Sequence, residues 1–350
     1  MAKILIIRLS AIGDVAMTIP VIYSAAKANP GDSFTVLTQS FLLPLFINRP
    51  PNVMLIGMET KGSEKKLGGL LRFAFSLANR KYDMVLDLHD VIRSRIIDLV
   101  FRLKGKRVYR IDKKRKERKH LTAKPPKEIT PLTAVTACYT DVFNRAGFNF
   151  DDIFTSLFAD NQDESFTLPL FGEKKGRRIG FAPFAKHRGK IYPVDEMEKV
   201  IEKLSKQPDT TLFFFGGGGY EEAVLSRWEL QFPNTYCVAG RFTLFHELEL
   251  IRRMDLLVCM DSANMHFASL TGTKVVSIWG ATHPYAGFYG YKQNPQYAIQ
   301  VELPCRPCSI YGNIPCHRGD YACLRQITTE QIIDKIHFAL DQNEKSSHSS

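Results

Sequence analysis

Asp261 and Ser262 follow the apolar run Leu256-Leu257-Val258-Cys259-Met260 and form a good helix-capping pair. His266, Phe267, Ala268 and Leu270 can then share one short helix, which Gly272 can end before the apolar run VVSIW. A helix opening directly off the carboxyl end of a strand presents free backbone N–H groups and the positive end of its dipole, which suits a diphosphate. An ordinary strand-helix-strand unit would explain the same residues. A second turn of this kind lies at the other end of the chain. Lys3 to Leu9 is β-rich, Ser10-Ala11-Ile12-Gly13-Asp14 is a turn, and Val15, Ala16, Ile19, Ile22, Tyr23 and Ala26 have helical periodicity. Asp14 therefore belongs at the carboxyl end of the first strand, where open α/β sheets place ligand chemistry. As a plain N-cap it would need no chemistry. Pro20 sits in the first turns and leaves the start of that helix open.

Three further groups could act on a ligand. The loop Ala182 to Lys190 carries Lys186, His187, Arg188 and Lys190, and lysine is a good point-charge partner for a leaving diphosphate. In isolation a solvated surface loop would look the same. The stretch RLKGKRVYRIDKKRKERK, 102–119, is dense in charge, as solvated or mobile surfaces are; it could also dock an anionic lipid or a phosphorylated acceptor. Cys305, Cys308, Cys316 and Cys323 are spaced so that four reduced thiols could hold a structural zinc, with His317 as a competing ligand. Their second spacing is too wide for a standard zinc ribbon, and free thiols or one adventitious disulfide would fit as well. Cys138, Cys237 and Cys259 read as core residues.

The elements that must position these groups follow from periodicity. Strands are expected at 3–8, 33–38, 53–57, 83–88 and 106–110, then at 177–182, 210–215, 235–239, 255–260 and 274–279. Helices are expected at 14–28, 64–79, 91–103 and 131–146, then at 194–206, 219–230, 243–253, 262–270 and 328–341. Such alternation means parallel sheets covered by helices on both faces. Residues 155–176 read as a linker, so two α/β domains are expected, their strand ends facing across a cleft: 1–170, then 177–327, with a last helix at 328–342 and a disordered tail at 343–350. The length of 350 residues and 45% hydrophobic content agree with two globular domains.

No run of about 18 apolar residues is present, so no transmembrane helix is expected. The opening MAKILIIRLS is too short in apolar residues, and interrupted by Arg8, to be a signal peptide. A cytoplasmic protein with seven reduced cysteines is expected. The net charge of +11 favours anionic partners. The run Gly216-Gly217-Gly218-Gly219 has no Lys-Ser/Thr after it and is not a P-loop, although a phosphate- or ribose-lined turn is conceivable. The absence of GxGxxG argues against a dinucleotide oxidoreductase. There is no Gly-x-Ser-x-Gly elbow and no His-Glu-x-x-His.

These residues carry a resemblance. RLSAIGDVAMTIPVI resembles the opening motif of the ADP-heptose:lipopolysaccharide heptosyltransferases, glycosyltransferase family 9. VAGRFTLFHELELIRRMDLLVCMDSANMHFASLTGTKVVSIWGATHP is similar to that family's donor-binding region, GKIYP to its Lys-x-x-Pro element, and the late cysteines to a pattern many members carry. The resemblance spans nearly the whole chain. It implies two Rossmann-like domains of the glycosyltransferase B type, no catalytic metal, and an inverting transfer of heptose or a related sugar from an ADP-sugar to the lipopolysaccharide inner core. It also implies a place at the cytoplasmic face of the inner membrane, with peripheral contact to its anionic surface, and no nucleic acid.

The roles carry over by position. Asp14 matches the proposed general base, Lys190 the lysine at the diphosphate, and Ser262, Ala263 and Asn264 the helix-start N–H groups on phosphate oxygens. Asp261 and His266 match the motif's paired polar residues; an aspartate beside a diphosphate is repulsive, so Asp261 is expected to orient Lys190 or cap the helix. Phe242 falls where an apolar residue flanks adenine, and Glu221 or Glu222 where an acid meets donor hydroxyls. The acceptor, lipopolysaccharide core or lipid A, is expected on the N-terminal domain at Arg8, Ser10, Arg93, Lys113 and Lys114. Two departures are Ser262-Ala263, where Thr/Ser-Gly is usual, and PFAKHRG ahead of Lys190, where small residues are usual. Two other classes fit composition alone: a non-enzymatic nucleotide or sugar binder, and a basic nucleic-acid-binding protein. The latter is disfavoured because Tyr109 is the one aromatic in the basic stretch.

Overall fold

The computed structural model describes residues 1–159 and 175–347. Most of the expected linker, 160–174, and the last residues of the expected tail, 348–350, lie outside the described residues. The chain divides into two compact units. One comprises 1–115 and 133–157, the other 116–132 and 158 onward.

The first unit holds β1 (Lys3–Ile7), β2 (Ser33–Gln39), β3 (Val53–Met58), β4 (Met84–Asp87) and β5 (Arg107–Arg110) in one parallel sheet ordered β3-β2-β1-β4-β5. Helices α1 (Ile12–Ala16), α2 (Ile19–Ala28), α3 (Leu67–Ala78) and α4 (Ile92–Leu103) lie between strands. α6 (Val135–Arg145) also belongs to this unit, whereas α5 (Arg115–Leu121), next after β5 along the chain, falls in the second unit apart from Arg115. Ile4 to Ile7 are wholly buried, as a strand covered on both faces must be. Leu5, Ile7, Leu37, Val85, Ile97 and Phe101 share one core, each worth about 1.5–3 kcal/mol of burial.

The second unit holds β6 (Arg177–Ala182), β7 (Thr210–Phe214), β8 (Thr235–Cys237), β9 (Leu256–Met260), β10 (Val275–Ile278) and β11 (Ala298–Ile299), ordered β11-β10-β9-β6-β7-β8 and parallel throughout. Its helices are α7 (Val194–Ser205), α8 (Tyr220–Gln231), α9 (Leu244–Ile251), α10 (Ala263–Thr271), α11 (Ala322–Arg325) and α12 (Thr329–Ser347). Phe181, Phe214, Trp228, Ile278 and Ile332 are among its core residues. The α/β class expected from alternation is the class observed.

Several local expectations are corrected. The helix expected over 14–28 is two helices. The chain turns at Met17-Thr18 and restarts at Ile19, so Pro20 falls in the first turn of α2, where a missing N–H costs nothing. The basic stretch contains the end of α4 and all of β5, near the helix expected over 91–103 and the strand over 106–110, with Val108 and Tyr109 completing the sheet beside β4, and it adds the start of α5, which was not expected. α12 continues through Ser347, so residues 343–347, expected in a disordered tail, extend a helix instead. Gly272 ends α10 in the left-handed conformation at φ 79°, which glycine adopts without strain.

Candidate active site

In each sheet, chain order reverses at one pair of neighbouring strands, β1/β4 in the first unit and β6/β9 in the second. Ligand crevices form outside the carboxyl ends at such switch points. The clusters around Asp14, Asp90 and the Lys190–Asp261 pair start there.

In the first unit, Ile7 pairs with Asp87, so the segments after β1 and β4 emerge side by side. Asp14 is the third residue of α1. Its Oδ2 lies 2.8 Å from Arg8 Nη2 and accepts from Ala11 N–H at 3.3 Å. The Asp14 side chain keeps 20% of its surface open, against 8% for Arg8. Arg8 also donates to Leu88 O at 2.7 Å, and its guanidinium stands 5.9 Å from the Tyr139 ring centroid. Asp14 thus helps close the start of α1 and still presents a carboxylate to the crevice. Ser10 lies half-buried in the preceding turn.

After β4 the chain turns through His89 and Asp90. Both backbone N–H groups donate to Asp87 Oδ1, at 2.8 and 2.9 Å. Asp90 accepts from Arg95 at 2.7 Å and from Arg115 at 2.6 Å. Against burial, which raises it, the Arg95 hydrogen bond and the charges of Arg95, Arg115 and Lys113 hold Asp90 below the usual carboxylate range. Lys113 Nζ donates to Asp90 O at 3.2 Å. Burial, with Arg8 and Arg115 adding like charge, pushes Lys113 down to about 8. Asp90, Val91, Ile92, Arg93, Arg95, Lys113 and Arg115 line a hollow of about 480 Å³ at the start of α4. Four cations face one carboxylate there, so the hollow suits an anion. Of the expected acceptor residues, Arg93 and Lys113 meet in it, while Lys114 turns to Asp112 at 3.0 Å. A second hollow of about 520 Å³, lined by residues such as Arg49, Pro50 and Met54, belongs to the β3 end of the unit and has one cation in its lining.

In the second unit, Ala182 pairs with Cys259, which sets the loop after β6 beside the turn after β9. Lys190 Nζ reaches Asp261 Oδ2 at 2.8 Å, with the side chains 15% and 7% exposed. Asp261 was expected to orient Lys190 or cap the helix, from a separate motif, and strand order explains how residues 71 positions apart meet. Gly312 permits the approach: a Cβ there would stand 2.6 Å from Lys190 Cγ. Ser262 is the N-cap of α10, yet its side chain makes no capping bond, and its buried Oγ has no partner among the described residues. The expected capping by Asp261-Ser262 is corrected accordingly: Asp261 serves Lys190, and the Ser262 hydroxyl is left over beside the free N–H groups of Ala263 and Asn264. His266 is buried one turn further along the helix. Glu221 accepts from Gly217 N–H at 2.7 Å and so braces the glycine run. Glu222 lies against Gly240, where a Cβ would come within 2.6 Å of its carboxylate. Phe242, half-buried, precedes Thr243, whose hydroxyl caps α9.

The structure gives no support to the expected zinc site at the four late cysteines. Cys308 Sγ is 3.8 Å from Ala281 O and Cys316 Sγ is 4.0 Å from Asp320. Burial pushes the Cys308 thiol up and that of Cys323 up to about 11. Among the described residues no three His, Cys, Asp or Glu groups are gathered to hold a metal ion. Spacing along the chain had no access to where the sulfurs point.

Besides Arg95 and Arg115 of the hollow, two residues escaped the sequence. Arg306, 2% exposed, donates from Nε to Gly280 O at 2.6 Å. Its Nη groups reach the carbonyls of Trp279, Thr282 and Val301 and the Gln300 side chain. It fixes the turn after β10, where Ala281 N–H in turn donates to Gly189 O at 2.8 Å, next to Lys190. The other is His89, a buried polar residue two positions after a buried strand, a sequence signal open to reading.

Among the described residues, no helix is long and apolar enough to cross a membrane.

Comparison with known proteins identifies the family. The family model described as Glycosyltransferase family 9 (heptosyltransferase) matches residues 70–314. The chain is similar to lipopolysaccharide heptosyltransferase 3 of Escherichia coli, 23% identical over 288 residues, 77% of this chain and 81% of that one. In structure it resembles a family 9 glycosyl transferase from Veillonella parvula DSM 2008, with TM-score 0.74, 20% identity and 97% and 98% of the two chains covered. It also resembles the E. coli ADP-heptose lps heptosyltransferase II, with TM-score 0.71, 19% identity and 98% and 99% covered. The structural likenesses are likenesses of fold, the glycosyltransferase B class.

Proposed function

Because this chain belongs to glycosyltransferase family 9 and is a glycosyltransferase, we propose that it transfers heptose from ADP-heptose to the inner core of lipopolysaccharide, with inversion. The donor and acceptor named for its relatives support this choice of substrates. The observation that carries the donor half is the Lys190–Asp261 pair at the start of α10, beside the unpartnered Ser262 hydroxyl. Lysine, free N–H groups and a hydroxyl converge where a diphosphate would sit. Asp261 aims the ammonium, and phosphate oxygens compete with it for that charge. Glu222 is the better candidate for donor hydroxyls, since Glu221 is engaged by Gly217.

The acceptor half rests on the first unit. Asp14 takes the proton of the attacking hydroxyl, and that oxygen bonds to the anomeric carbon. The bond from that carbon to the diphosphate oxygen breaks, and its electron pair leaves on ADP, whose charge Lys190 and the α10 N–H groups stabilise. Displacement from the opposite face inverts the anomeric configuration. The hollow at Arg93, Arg95, Lys113 and Arg115 receives an acidic group of the acceptor, a phosphate or carboxylate. The reaction is placed at the cytoplasmic face of the inner membrane, with peripheral contact to its anionic surface. No metal enters the chemistry.

The test is incubation with ADP-heptose and a panel of truncated lipopolysaccharide acceptors, reading ADP release and acceptor mass together. Added heptose mass with matching ADP release is expected on one acceptor. ADP binding without product across the panel would reject this pair of substrates.

A further inference from the structure

His89 sits one residue beyond Leu88, which follows β4 at the β1/β4 switch point. It is 7% exposed, and one hydrogen bond holds its backbone and another its ring. Its backbone N–H is held by Asp87 Oδ1, and its ring Nδ1 accepts from Leu9 N–H at 3.3 Å. An Nδ1 that accepts carries no proton, so the proton of the neutral ring is on Nε2. Nε2 has no partner among the described residues, and it is not among the side-chain atoms sealed from solvent. The charged groups facing the ring are Arg8, Lys113, Asp14 and Asp90. Burial first, then Arg8 and Lys113, pushes its ionisation down to about 3, so the ring is uncharged across any working range. A permanently neutral imidazole is a poor proton acceptor. It is a good fixed donor whose aim is set by the Leu9 bond.

We propose that His89 positions the acceptor: its Nε2–H donates a hydrogen bond to a sugar oxygen of the acceptor, holding the neighbouring hydroxyl against Asp14. The proposal rests on the reading of Asp14 as base and adds a residue to it. The chemical class recognised is a sugar oxygen, hydroxyl or ring, since a neutral donor contributes little to binding an ion compared with the four cations nearby.

Two substitutions separate the role from mere packing. His89→Asn places an amide oxygen near the Nδ1 position, where it can still accept from Leu9, and removes the donor. His89→Gln places an amide N–H near the Nε2 position and keeps the donor. Expected for His89→Asn is a loss of about 10- to 100-fold in kcat/KM for the acceptor, with ADP affinity unchanged. His89→Gln should recover most of that loss. Equal loss in both variants, or parent-like acceptor kinetics in His89→Asn, would overturn the proposal. The imidazole ¹⁵N shifts of the wild-type protein give a second readout that needs no turnover, assigned by their absence in His89→Asn. A protonated Nε2 and no titration between about pH 5 and 8 are expected; a ring that titrates in that range would also overturn it. Asp14→Asn, run alongside, distinguishes the two readings. Parent-like turnover in Asp14→Asn would remove Asp14 as base, whereas the comparison of His89→Asn with His89→Gln would still judge His89.

Discussion

Replacing Arg306 with methionine removes the buried guanidinium and leaves five acceptors without their donor: the carbonyls of Trp279, Gly280, Thr282 and Val301, and the Gln300 side chain. At about 1 kcal/mol net for each bond, the gross loss is about 5 kcal/mol. The parent also bears the cost of burying a cation with no carboxylate hydrogen-bonded to it, a cost visible in the way burial pulls its ionisation below the usual arginine range. Losing that cost offsets part of the damage, so about 3–5 kcal/mol of net destabilisation is expected. In a unit of roughly 150–250 residues each kcal/mol moves Tm by about 2–4 °C, which gives a fall of about 6–20 °C in a calorimetric scan. Arg306→Lys supplies three donors on a point charge and should recover only part of it. The effect should also reach the site. The freed turn carries Ala281, whose N–H holds Gly189 O at 2.8 Å, and Gly189 precedes Lys190. ADP affinity, read by calorimetric titration, should therefore fall in Arg306→Met while the fold persists below the lowered Tm. A Tm within about 2 °C of the parent would refute the reasoning that these bonds are worth more than the buried charge costs.

Asp14→Ala should reduce turnover to background and leave ADP affinity within about twofold, because the proposed donor groups Lys190 and Asp261 belong to the second unit and Asp14 to the first; mass spectrometry of the acceptor reads the first and titration the second. Lys190→Ala should lower kcat by about 10²–10³-fold, since it removes the charge on the leaving diphosphate and leaves Asp261 to repel it. Adding Asp261→Asn should restore part of the lost ADP affinity, and a double variant that binds ADP no better than the single one would count against the pairing. Burial alone pushes Glu247 up to about 7. Its folded form holds a proton that the unfolded chain has lost above about pH 4.5, so stability should fall as pH rises from about 4.5 to about 7 and level off beyond. Glu247→Gln should flatten that slope by about 1–3 kcal/mol between pH 5 and 8, measured by denaturant melts; an unchanged slope would place the titration elsewhere.

The strands were legible because each is an apolar run bounded by turn residues, and a parallel strand is buried on both faces. Helix positions were legible from periodicity, with errors where a local break or an extension carried no periodic mark. α1 and α2 separate at Met17-Thr18, and α12 continues into polar residues up to Ser347. The short α5, with its run of like charge, has no apolar period to read and was missed. The cysteines show a different limit. Their spacing invited a metal, but spacing does not specify where a sulfur points.

The residues that could do chemistry, Asp14, Lys190, Asp261 and the start of α10, were fixed by type and by their place after apolar strands. These are properties of the chain taken locally. Which of them meet was decided by strand order. β4 pairs with β1 and β9 with β6, and so His89 and Lys113 come to Asp14's neighbourhood and Lys190 comes to Asp261. Periodicity records which face of an element is buried and carries no record of which strand lies beside it. Arg306 belongs wholly to that second kind of information. As one more basic residue in a loop it has no signature, and only a buried ring of backbone carbonyls makes it a clamp.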